Sequence, residues 1–103
     1  MRTWSEFQEV LQNIIGEDGK VYYQPPENLK IKYPCIVFDR TNALSSFADN
    51  KPYRITKRYT VTLITKTADN DKYLDKLLNL PMSTYDRQFV TDGLVHDVFS
   101  IYF

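Results

Sequence analysis

The chain has one cysteine, one histidine and no excess of charge of either sign. A single cysteine, Cys35, rules out an internal disulfide and fits a reducing compartment, and its apolar neighbours place it in the core. One histidine and one distant cysteine are too few to build a zinc site without unusual carboxylate help. No phosphate loop, dinucleotide fingerprint or exposed-nucleophile turn is present, so no cofactor, metal or catalytic residue is expected. Thirteen Lys and Arg against thirteen Asp and Glu give a formal charge of zero. Neutrality removes the attraction that nucleic acid or an anionic membrane requires, and favours association with other protein. No apolar run approaches the ~20 residues of a membrane span, and the N-terminus lacks the apolar stretch of a secretory signal, so synthesis and use in the cytosol are expected.

Two further motifs lead away from chemistry. His96 and Asp97 are the only neighbouring His-carboxylate pair, but adjacent strand residues point to opposite faces and cannot act together on one surface. Gly16-Glu17-Asp18-Gly19 has the spacing of a nucleic-acid backbone clamp, yet its two acidic residues would repel phosphates. A helix-ending turn accounts for it better.

What is present is β-rich and aromatic. Of 103 residues, 43% are apolar and 15% aromatic, which fits one small domain over residues 1–103 that buries roughly 60 to 70% of its unfolded surface. Residues 55–66 form the longest β-type run. Ile55, Tyr59, Val61 and Leu63 share one parity, while Thr56, Arg58, Thr60 and Thr62 share the other, the pattern of a central strand buried on one side. The Thr-rich face is too polar for a core and is left to meet water or another subunit.

Around this strand the other elements follow. Thr3-Trp4-Ser5-Glu6 matches a capping box, and Trp4, Phe7, Val10, Leu11, Ile14 and Ile15 form a helical stripe that Gly16 ends. Residues 20–24 and 33–38 read as strands. Residues 40–54 are polar and irregular and read as a long loop, of a length usually tied to function. Within it Ala43, Leu44 and Phe47 are apolar residues in polar surroundings. Asp69 caps a second helix carrying Tyr73, Leu74, Leu77 and Leu78, ended by Pro81. Asp92-Gly93 joins two closing antiparallel strands in a tight turn, placing Phe89 opposite His96 and Arg87 opposite Val98. Trp4, Phe7, Leu11, Val61, Leu63, Leu74 and Leu77 are expected to share one core. The sum is an α+β domain whose mixed, mainly antiparallel sheet carries two helices on one face.

Laid out in order, 33–38, Ala48-Asp49-Asn50 with Tyr53, 58–64, 86–90 and 92–99 together resemble the tail terminator, or tail-completion, proteins of long-tailed bacteriophages. The resemblance spans residues 33–103. It implies a structural, non-enzymatic virion protein that forms a ring, a hexamer, on the head-proximal end of the tail tube. Such a ring stops tube growth and offers the head connector a surface. The partners implied are copies of itself, the major tail tube protein and the head connector or stopper protein. The interface candidates are Asn42, Leu44, Phe47, Asp49, Asn50, Tyr53, Arg58 and Arg87. The same residues also suit a monomeric protein-binding or regulatory module that uses the 40–54 stretch, or another head–tail connector component.

Overall fold

The computed structural model describes residues 3–25, 32–48, 51–67 and 70–103, and of residues 18, 42–48 and 51–56 it describes the backbone. Helix α1 spans Trp4–Ile15. Its N-cap is Thr3, whose hydroxyl accepts from the Glu6 N–H at 3.3 Å and so satisfies one of the first-turn donors. Gly16 ends it with φ +67°, a left-handed conformation that costs least at glycine, and a 3-10 turn follows. The strands are β1 (Lys20–Tyr23), β2 (Cys35–Ala48), β3 (Lys51–Thr65), β4 (Ser83–Thr91) and β5 (Leu94–Tyr102), and helix α2 (Asp71–Leu78) joins β3 to β4.

The sheet order is β1-β2-β3-β5-β4. β1 runs parallel to β2 and all other neighbours are antiparallel. β3 is therefore the central strand, and both helices lie on one face. The core draws Phe7, Leu11, Ile14 and Ile15 from α1, and Tyr73 and Leu77 from α2. These pack on Val21, Ile36, Phe38, Tyr59, Val61, Leu63, Phe99 and Ile101 of the sheet. Phe7 is its hub, with ring centroids 4.6 Å from Tyr59, 4.8 Å from Phe103 and 5.4 Å, edge-on, from Phe38. At the β1 end, Gly19 passes against the Pro34 backbone so closely that a Cβ there would run into the Pro34 carbonyl oxygen. Any larger residue would push β1 off the sheet.

Four expectations change. Trp4 is not in the core: it is 44% exposed and stacks on Tyr23 at the rim, 4.8 Å between centroids. Leu74 is only partly buried against the core. The α2 cap is Asn70, not Asp69, which lies outside the described residues, and the Asn70 side chain makes no capping bond. The largest change is the stretch 40–54, which is strand and not loop. β2 and β3 continue their pairing as far as Ala48 opposite Lys51, with irregularities between Arg40 and Asn42 and between Ser46 and Phe47. Each bulge inserts a residue and reverses the in-out parity. The period-two signal was thus broken once on each strand, at Thr41 of β2 and at Tyr53 of β3, which is why the sequence looks irregular. Pro52 fits here because β5 does not reach this far, so its missing N–H leaves no ladder bond unmade. The closing hairpin has the expected register, Phe89 opposite His96 and Arg87 opposite Val98. Asp92 (φ +53°) and Gly93 (φ +74°) form the turn.

Candidate assembly surfaces

The long hairpin supplies the first surface. β5 pairs with β3 only from Thr65 back to Arg58, with one further backbone pair between Lys57 and Phe103. Past that point, among the described residues, β2 and β3 have only each other, as a ribbon of residues 44–48 and 51–56. At ~3.3 Å per residue it projects roughly 15 to 20 Å, which accounts for principal extents of 51 × 28 × 24 Å. Asn42, Leu44, Phe47 and Tyr53 all lie along this hairpin, with Asn42 at its base opposite Arg58 and Leu44 opposite Thr56. Asp49 and Asn50 lie outside the described residues, between the two strands.

The second surface is the sheet face away from the helices. One row across it runs Lys20, Cys35, Ile64, His96, Phe89, and the next runs Tyr22, Val37, Thr62, Val98, Arg87. The Thr-rich parity of β3 does face this side, but the centre is apolar: Cys35, Ile64 and Val98 are buried. Cys35 is buried as expected, though on this face and not beneath the helices, and burial pushes its thiol up to about 12. Arg58 is half-buried here. Its Nη2 donates to Ser100 Oγ at 3.2 Å, while its Nε is buried without an acceptor.

The third surface is the β4 edge. From Thr84 to Thr91 every residue is exposed, including Tyr85 (40%), Phe89 (40%) and Val90 (65%). Arg87 bonds Asp86 at 2.8 Å, and its guanidinium lies 5.8 Å from the Phe89 ring centroid. Phe89 stacks on His96 at 4.6 Å. His96 Nδ1 is 3.1 Å from the Leu94 carbonyl oxygen, a contact that requires the proton on Nδ1.

Asp97 points the other way, as strand alternation requires. It is fully buried and accepts from Asn70 Nδ2 (2.8 Å), Tyr85 OH (2.7 Å) and Gln88 Nε2 (2.9 Å). Asn70 also donates to Thr65 Oγ1 at 3.1 Å. Three donors offset the cost of burying a carboxylate and tie β4, β5 and the start of α2 together. Burial, followed by its bond to Asp97, raises the Tyr85 phenol to about 12. Sequence reasoning missed this cluster. The signal was an acid at Asp97 on the apolar parity of Val95, Phe99 and Ile101.

Arg58 and Arg87 thus share the helix-free face, at β3 and at the β4 edge, whereas Leu44, Phe47 and Tyr53 belong to the projecting ribbon. Among the described residues, no group of three His, Cys, Asp or Glu side chains is placed to hold a metal ion, and no helix is long and apolar enough to cross a membrane. No protein-family model matches the chain, and no curated protein matches it.

Proposed function

We propose that this chain is an assembly subunit that forms a ring on the head-proximal end of a phage tail tube, ends tube growth and presents a surface to the head connector. The observation that carries this reading is the ribbon of residues 44–48 and 51–56. A two-stranded ribbon is marginal in water by itself, so one extended beyond its sheet gains stability when another protein covers it. The resemblance of residues 33–103 to tail terminators supplies the identity of that protein: tail tube on one side, a connector or stopper on the other, with neighbouring copies completing the ring. A hexamer follows from the same resemblance. The protein then belongs to the virion, is assembled in the host cytoplasm, and acts by contact and not by catalysis.

The test is polymerisation of tail tube protein with and without the purified chain, read as tube length by electron microscopy. Wild-type protein should give tubes of limited length with a ring at one end. A variant in which a short turn replaces 44–56 should leave tubes overlong. Unlimited tubes with the intact protein, and a strict monomer in sedimentation, would favour a monomeric binding module.

A further inference from the structure

Among the described residues the sheet ends in two unpaired edge strands, β1 and β4, whose hydrogen-bonding phases can be worked out. On β5, the Lys57–Phe103 backbone pair sets odd-numbered residues facing β3, so even-numbered ones face β4. On β4, Thr91, Phe89 and Arg87 therefore face β5, and the N–H and C=O groups of Gln88 and Val90 point outward. On β1, the Gln24 N–H donates to the Phe38 carbonyl at 3.1 Å, so Tyr22 and Gln24 face β2 while Val21 and Tyr23 point outward. Among the described residues the Val21 carbonyl meets only the Gln8 side chain, at a long 3.5 Å. An open groove lined by Gln12, Asn13, Gly16, Gly19, Lys20 and Val21 runs beside this edge.

We infer that copies of this chain add head to tail by pairing the β4 edge of one with the β1 edge of the next. The inference rests on the reading that the chain builds a ring, and names the contact. β1 and β4 run in opposite directions, so identically oriented copies meet antiparallel. Outward groups must oppose outward groups, which sets Val21 against Val90 and Tyr23 against Gln88. Every pair in that register then lies on matching faces. Val21 and Val90 are on the helix side, where Val90 enters the groove. Tyr22 and Phe89 are on the other side, a close non-hydrogen-bonded aromatic pair. Lys20 falls opposite Thr91, one residue from Asp92, so unlike charges meet at that end. Contacts of this head-to-tail kind close into rings when the rotation per copy allows it.

Cross-linking tests the register. Tyr22→Cys and Phe89→Cys proteins, mixed under mild oxidation, should give a disulfide-linked heterodimer, with buried Cys35 as a silent background. Val90→Pro removes only an outward N–H, which an edge strand tolerates. It should melt like the wild type yet self-associate at least about tenfold more weakly. A cross-linked dimer from Phe89→Cys alone would mean that β4 pairs with itself, overturning the proposal. Wild-type rings without any 22–89 cross-link would overturn this contact and leave the ring standing. A wild-type chain monomeric even on tail tubes would remove the ring and the contact together.

Discussion

The same two strands behave differently along their length. Near residues 35–39 and 60–65, β2 and β3 are central members of a five-stranded sheet under two helices, and Ile36, Phe38, Val61 and Leu63 are fully buried. Past Arg58 they continue as a ribbon that no third strand joins among the described residues. The β2–β3 ladder runs through both halves, but at the base each strand is also bonded along its outer edge, to β1 or β5, and among the described residues the ribbon has no such second ladder. At the base the helices also cover the apolar face, and removing apolar surface from water is what chiefly drives folding. The base holds the domain together, while in the function proposed above the ribbon serves assembly.

That contrast can be broken most strongly at the base. Leu63→Ala should cost about 2 to 5 kcal/mol, since Leu63 is fully buried in the core cluster to which both helices contribute, and urea melting measures it as a lower midpoint at unchanged slope. A loss below about 1 kcal/mol would mean the base is not what holds the fold.

Tyr85→Phe tests the polar tie between β4 and the base. Losing one bond to a buried carboxylate should cost about 1 to 2 kcal/mol at neutral pH. The pH dependence has a definite sign. The folded phenol titrates near 12, above its usual value of 10, so its stabilisation is complete below pH 10 and disappears as pH rises toward 12. Melting temperatures across this window should fall less in Tyr85→Phe than in wild type. Equal slopes would show that the hydroxyl does not hold β4.

The smallest effect is expected in the ribbon. Replacing 44–56 with a short turn leaves the β3–β5 ladder untouched, so stability should change by less than about 1 kcal/mol, although tube termination should be lost. A loss of several kcal/mol would show that the ribbon belongs to the core after all.

The elements with one uninterrupted period were legible from residues alone. The stripe of Phe7, Leu11, Ile14 and Ile15, the alternation of Tyr59, Val61 and Leu63, and the Asp92-Gly93 turn each express a local preference that the fold reinforces. The register of the closing hairpin followed from that turn, because two residues with positive φ leave only one way to pair the strands. Elsewhere tertiary structure decided. Bulges at Thr41 of β2 and Tyr53 of β3 reversed parity and hid a long hairpin as a loop. Trp4 lies on the helix's apolar stripe, yet it ends at the rim because the sheet beneath it stops at β1. Asp97 is a polar residue at a core position that becomes stable only when Asn70, Tyr85 and Gln88 arrive from elsewhere in the chain. Residue types and spacing determine which face of a helix or strand is apolar, since that depends on neighbours a few positions away. Which faces are covered, and which edges stay open, depends on pairings between distant segments, and those are set by the packing of the whole chain.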